Sequence, residues 1–218
     1  MAEKKTPRRT RERILETSLV LFNRCGEPHI TTADIADEMN ISPGNLYYHF
    51  RNKDDIIGEL YAAYEATALP LLSIPESRSP GVEDLWFLLH ALFERMREYR
   101  FLYRDLDEIT SRNRKLATRF AELSRRGERI VIELCRALVR SGQMIATERE
   151  IAALAANVVV VSTYWMSWQR VAGLAAGPPG DHRDVSLDHA AYQVLALIAP
   201  FLIGDGRTLI ERLGDDYL

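Results

Sequence analysis

The chain has little of what metal and redox chemistry require. It holds two cysteines, Cys25 and Cys135, 110 residues apart, without the paired spacing of a metal site. The opening MAEKKTPRRTRER is basic and polar and carries no apolar run of an export signal. Both thiols are therefore expected to be free and buried, in a reducing cytosol. The histidines, His29, His49, His90, His182 and His189, form no metal-spaced pair, and His182 in GDHRD reads as solvated. No nucleophile motif and no phosphate-cradling glycine loop occurs. Neither a metal, a cofactor nor an enzymatic activity is expected. Strand-like alternation is missing, as are internal repeats and low-complexity tracts, so the fold reads as all-α. Positive charge is also scarce: Lys and Arg number 28 against 31 Asp and Glu, a net charge of −3.

What positive charge there is gathers at one end. Residues 1–13 hold Lys4, Lys5, Arg8, Arg9, Arg11 and Arg13 against Glu3 and Glu12. Such a segment is either a solvated terminus or an arm for DNA phosphates or a minor groove. A helix is expected from about Thr10 to Arg24, with Ile14, Leu15, Leu19 and Phe22 inward and Cys25-Gly26 ending it. From Thr31 to Lys53 the sequence predicts two short helices broken at Asn40-Ile41. Thr31 is a capping residue for the first, and Ser42-Pro43 is a start signal for the second. Ile35, Ala36, Met39, Leu46 and Phe50 fall on inner faces, which leaves Gly44, Asn45, Tyr47, Tyr48 and His49 outward.

That spacing suits a helix-turn-helix, whose second helix lies in the DNA major groove. Gly44 permits close backbone approach, and Tyr47 offers a ring and a hydroxyl to base edges. Tyr48, His49 and Lys53 are expected beside phosphates. Thr31, Thr32, Ser42, Pro43 and Asn45, with Arg8, Arg9 and Arg11 of the arm, complete the expected DNA-binding set. The alternative is an ordinary helical hairpin with exposed aromatics.

The stretch ITTADIADEMNISPGNLYYHFRNKDDII resembles the DNA-binding signature of the TetR/AcrR family of bacterial transcriptional regulators, from about Arg11 through Ile57. The resemblance implies that Leu46, Tyr47, Tyr48, His49 and Phe50 form the recognition helix and that Lys53 binds backbone phosphate. It implies a homodimer on a palindromic double-stranded DNA operator, and a small-molecule effector inside the C-terminal domain. It further implies a linking helix whose tilt switches DNA affinity.

The expected organisation is an N-terminal three-helix helix-turn-helix domain, 1–55, and a linking helix, 53–69, capped by Asn52. A larger helical effector-binding and dimerisation domain, 70–218, follows. Pro70 to Gly81 reads as a loop, and helices are expected at Val82–Tyr99, Phe101–Ser111 and Arg114–Ser141. Ile151 to Gln169 then runs for nineteen residues without a charge. Length alone permits a membrane span, but Asn157, Ser162, Thr163, Ser167 and Gln169 dilute it, which favours burial in a core or interface. This stretch and Ala190–Gly204 are expected to pair across a two-fold axis. A mid-domain excess of aromatics suits an apolar pocket. The effector candidates are Phe93, Met96, Tyr103, Phe120, Tyr164, Trp165 and Trp168, with His90, Asn157 and Thr163 as polar anchors. The expected function is a cytoplasmic, nucleoid-associated repressor released by an apolar or aromatic molecule, with no membrane partner. The alternatives are a ligand-independent DNA-binding protein, acting in chromosome organisation or through a protein partner, and an activator.

Overall fold

The protein's computed structural model describes residues 7–73, 80–173 and 185–215, whose regular structure is helical apart from an antiparallel bridge between Met144 and Leu202. The helices are α1 Pro7–Cys25, α2 Thr32–Glu38, α3 Pro43–His49, α4 Lys53–Leu71 and α5 Val82–Glu98. They continue as α6 Phe101–Arg104, α7 Leu106–Arg112, α8 Arg114–Arg140, α9 Glu148–Val171, α10 Val185–Ile198 and α11 Gly204–Asp215. The fold is all-α: a small helix-turn-helix domain is joined by α4 to a larger helical domain. Lys4, Lys5, His182 and the side chain of Arg8 lie outside the described residues.

Local chemistry sets the helix ends. Thr31 and Asp34 form a capping box: the Asp34 N–H donates to Thr31 Oγ1 at 3.2 Å and the Thr31 N–H to Asp34 Oδ2 at 2.7 Å. The Thr31 hydroxyl, which donates to Asp34 Oδ2 at 2.7 Å, and then the Thr31 N–H hold the Asp34 carboxyl below its ordinary value. The break after α2 turns on Asn40, whose φ of 53° is left-handed, a conformation asparagine tolerates. The Ile41 N–H then closes back on Ala36 O at 3.0 Å, satisfying a carbonyl the helix end leaves free. Ser42 caps α3 with Pro43 in its first turn, and Asn52 caps α4 through the Asp55 N–H at 2.8 Å.

Several expectations shift. α1 begins at Pro7, so the basic segment from Pro7 to Arg13 is helical. Arg11 is no free arm residue: it pairs with Glu59 of α4 at 2.9 Å, and its guanidinium lies 4.9 Å over the Phe50 ring. The helix expected over Phe101–Ser111 is broken at Asp105, whose φ of −109° and ψ of 23° end α6. α4 continues through Pro70 to Leu71: the proline forfeits its own bond to Ala66 O, and only one residue of the helix lies beyond it. α11, beyond the second apolar stretch, has no counterpart in the sequence reading. Cys135 is buried, which pushes its thiol up to about 11, but Cys25 is exposed, contrary to expectation.

Apolar residues run without interruption from Ile14, Phe22, Ile35 and Leu46 through Ile57 and Tyr64 to Leu85, Met96 and Leu102. Each such burial stabilises by roughly 1.5–3 kcal/mol, but carries little orientation. Orientation comes from a polar network over this core. Gly26, at φ 95°, turns the chain sharply after α1 and delivers Glu27 inward, fully buried. The Glu27 N–H donates to Asp105 Oδ2 at 2.8 Å, while its carboxylate takes Lys53 of α4 at 2.8 Å and Arg112 of α7. Arg112 also reaches Asp54 at 3.0 Å. Arg104 bonds Asp105 and donates to the end carbonyls of α1, Phe22 O and Asn23 O. The Asn23 side chain in turn bonds Glu98 O at 2.8 Å and the Phe101 N–H at 3.1 Å.

Asp105→Ala is expected to lower unfolding stability by about 2–4 kcal/mol in urea titration, because it strands the buried Glu27 N–H and unpairs Arg104. A loss below about 1 kcal/mol would show that the network is incidental.

Candidate DNA-reading surface and effector cavity

The outward face of the helix-turn-helix is built as its spacing implied. Leu46 and Phe50 are buried, whereas Thr31, Ser42, Pro43, Gly44, Asn45, Tyr47 and Tyr48 are exposed, with Thr32 and His49 half-buried. A Cβ added at Gly44 would meet nothing within 4 Å, so folding does not require a glycine there. Tyr47 OH and Thr32 Oγ1 lie 3.0 Å apart, which fixes the tyrosine against the start of α2. Tyr48 and His49 meet edge to face at 5.1 Å.

Lys53 departs from its expected place. Its ammonium donates to Glu27 O at 3.0 Å and Ile30 O at 2.9 Å and pairs with Glu27 Oε1, which uses all three protons inside the protein. Arg51, which the sequence reading passed over, is an exposed cation beside α3. Its side chain is 94% exposed and, among the described residues, makes a single 4.0 Å contact, to Asp55. Arg9 is also exposed.

In the larger domain α4, α5, α6, α8 and α9 line a cavity of about 60 Å³. Its polar atoms come from Tyr64, Tyr103, Ser124, Ser162 and Thr163, and its apolar wall includes Leu89, Met96, Leu123 and Val158. Of the expected effector residues, Met96, Tyr103 and Thr163 line it. Phe93 and Phe120 are buried without lining it, Phe120 against Tyr61 and Tyr103. His90 stacks on Trp86 at 5.1 Å, and Trp165 is half-buried. Asn157, Tyr164 and Trp168 are corrected outright: they are exposed, on the opposite face of α9 from Val158 and Thr163. That outer face carries Val160, 55% exposed, Tyr164, 46%, and Trp168, 55%. By length and composition α9 is apolar enough to cross a membrane, yet it packs in this fold beside α8 and α10 with one side uncovered.

The lining also holds residues that the sequence reading did not assign to it, Tyr64 and Gly127 among them. Tyr64, on the linking helix, brings its hydroxyl into a hydrogen bond with that of Tyr103. Gly127 interrupts the middle of α8, where glycine weakens a helix, and a Cβ there would meet nothing within 4 Å. A glycine that neither packing nor backbone demands leaves room for the cavity.

A capped helix-turn-helix, carried on a helix that walls a cavity in a second helical domain, is the architecture of a DNA-binding transcriptional regulator. Comparison with known proteins gives the family. Residues 14–60 match the family model described as "Bacterial regulatory proteins, tetR family", and residues 63–210 match "TetR: Bacterial transcriptional repressor". The chain belongs to the TetR family and is not an enzyme. It is 37% identical to a TetR-family transcriptional regulator of Marinobacter aquaeolei VT8, over 95% of this chain and 98% of that one, with a TM-score of 0.82. A putative transcriptional regulator of Saccharomonospora viridis, solved in complex with choline, shares the fold at 20% identity, with a TM-score of 0.69 over 89% and 98% of the two chains. The "Probable acrEF/envCD operon repressor" of Escherichia coli K12 is 32% identical over 90 residues, which span 41% of this chain and 37% of that relative.

On an operator recovered by sequencing retained genomic fragments, Tyr47→Ala is expected to weaken binding about tenfold or more in gel-shift titration. Arg51→Ala should weaken binding evenly across sequences and shallow its salt dependence. Lys53→Ala should instead lower the melting temperature. An unchanged melting temperature in Lys53→Ala, with operator affinity lost, would restore the phosphate role to Lys53.

Proposed function

We propose that the protein is a homodimeric, cytoplasmic repressor that holds a palindromic operator and releases it when a small, largely apolar molecule enters the cavity. The observation that carries this reading is the cavity's position. Its wall includes Tyr64 of α4 and Tyr103 of α6, and the residues following Tyr103 are Arg104 and Asp105, which grip α1 and Glu27. At about 60 Å³ the cavity is narrow, so a ligand of ordinary size forces Met96 and the leucines aside and pushes on α4 and α6. Arg170, in the last turn of α9, adds a second route: it donates to Arg104 O at 3.1 Å and lies 3.8 Å from Asp105.

DNA contact in this reading falls to α3 and its flanks: Thr31, Thr32, Ser42, Pro43, Gly44, Asn45, Tyr47, Tyr48 and His49 at bases and phosphates, with Arg9 and Arg51 on phosphates. One such surface offers few contacts, whereas two held about one DNA turn apart, ~34–36 Å, read both halves of a palindrome. The exposed apolar face of α9, with α10 packed against that helix, is the surface proposed to pair the copies. Val160, Tyr164 and Trp168 are the anchors, since an apolar stripe of this kind is costly to leave wet. Val159, one position away, lines the cavity. The small free volume favours a second reading, a regulator of the same fold that binds DNA without a ligand.

Gly127→Leu should separate the two. It fills the cavity and raises helix propensity, so it should keep operator affinity and lose release by any molecule that frees wild-type protein from DNA; retained release in this variant would argue against the cavity. Val160→Glu should sediment as a monomer and bind the operator at least about tenfold more weakly, whereas a variant that still sediments as a dimer would move the interface elsewhere.

A further inference from the structure

We propose that the molecule this cavity accepts is uncharged, with an apolar body and a hydrogen-bonding oxygen that docks between the hydroxyls of Tyr64 and Tyr103. The proposal rests on the ligand-released reading above and names the chemistry of its ligand.

Among the described residues the lining contains no charged side chain. A carboxylate or ammonium entering it would leave water and meet no opposite charge, at a cost of several kcal/mol. Aromatic faces can hold a cation, but those at this cavity are already engaged. Tyr64 and Tyr103 meet edge to face at 5.9 Å, Tyr64 also packs on Tyr99 at 5.6 Å, and Tyr103 on Phe120 at 5.3 Å. No open aromatic box is left for an ammonium.

The hydrogen-bond inventory of the same wall is incomplete in a specific way. Each phenol has one proton, and the Tyr64–Tyr103 bond uses one of the two. The other finds no acceptor among the described residues. Burial raises both phenols above their ordinary value, so both keep their protons at neutral pH. Thr163 is 8% exposed and lines the cavity, and its hydroxyl has no hydrogen-bond partner among the described residues. Ser124, by contrast, satisfies itself on Phe120 O at 2.9 Å. The spare phenol proton and the Thr163 hydroxyl, together with the hydroxyl of half-buried Ser162, which also lines the cavity without a partner among the described residues, thus face a space walled mostly by apolar side chains. A ketone, ester or alcohol oxygen satisfies them; a pure hydrocarbon leaves them stranded.

The hydroxyl pair also joins α4 to α6 directly. An oxygen that takes the spare phenol proton and enters between the rings replaces that tie with a longer one. Recognition and loosening of the linking helix are then the same event.

The test is calorimetric titration of the full chain at pH 7 with octan-1-ol, octanoate and octylammonium, alike in chain and different in charge. Octan-1-ol should bind about tenfold or more tightly than either ion. Tyr103→Phe and Tyr64→Phe, which keep the rings, should each weaken it by about three- to tenfold, and Thr163→Val by a similar factor. Melting curves check that each variant is folded. The proposal is overturned by a charged probe binding as tightly as the alcohol, by undiminished alcohol binding in all three variants, or by none of the probes binding up to its solubility limit. Operator titration beside it keeps the two readings apart. Alcohol bound through Tyr103 with operator affinity unchanged defeats ligand release and leaves this ligand chemistry standing; release by octylammonium does the reverse.

Discussion

A carboxylate wholly removed from water has to find cations or the chain does not fold around it, and Glu27 is such a group. It sits in the turn between α1 and α2, and its cations come from elsewhere: Lys53 at the start of α4 and Arg112 at the end of α7. Its second oxygen, Oε2, has no hydrogen-bond partner among the described residues, so the first carries the whole load. Apolar burial alone would let the small domain slide over the large one at modest cost. A desolvated charge with two directional partners, beside an amide that only Asp105 satisfies, tolerates far less displacement. The aim of α3 toward DNA therefore depends on contacts made by α6 and α7.

α6 also walls the cavity. Tyr103 faces it, Arg104 bonds the end of α1, and Asp105 holds both Glu27 and Arg104 within three consecutive positions. α9 contributes twice, with Thr163 in the wall and Arg170 on Arg104 and Asp105. Its opposite face is apolar and exposed. One helix thus serves as cavity wall, as tether to the DNA-reading domain and, in the reading proposed here, as dimer surface. A disturbance in the wall has a short covalent and hydrogen-bonded path to the DNA-reading head.

Much of this was legible where the determinants are local. The caps at Thr31, Ser42 and Asn52, the break at Asn40 and the inward Leu46 and Phe50 follow from neighbours a few positions apart. Placing Lys53 and Arg11 was beyond that reach, because their partners are distant in sequence: Glu27 lies 26 residues before Lys53, and Glu59 lies on another helix from Arg11. A lone Lys at the start of a helix looks the same whether it meets a phosphate or a buried carboxylate. α9 failed differently. A helix apolar on all sides has no polar face to mark its outside, so Tyr164 and Trp168 could not be told from Val159 and Thr163 until α8 and α10 covered one side. Asp105 ended a helix that periodicity would have continued, for the sake of a partner 78 residues earlier.

The central claim is that the Glu27–Asp105 network, and not apolar contact alone, fixes how the DNA-reading domain points. It is tested most directly by the distance between spin labels on Arg51→Cys in the two copies of the dimer, in a Cys25→Ser background, with and without Asp105→Ala. With the network intact a single narrow distribution is expected; with Asp105→Ala the distribution should broaden by several ångströms while the dimer persists. Identical narrow distributions in both proteins would contradict the account, since the head would then be aimed by packing without the charges.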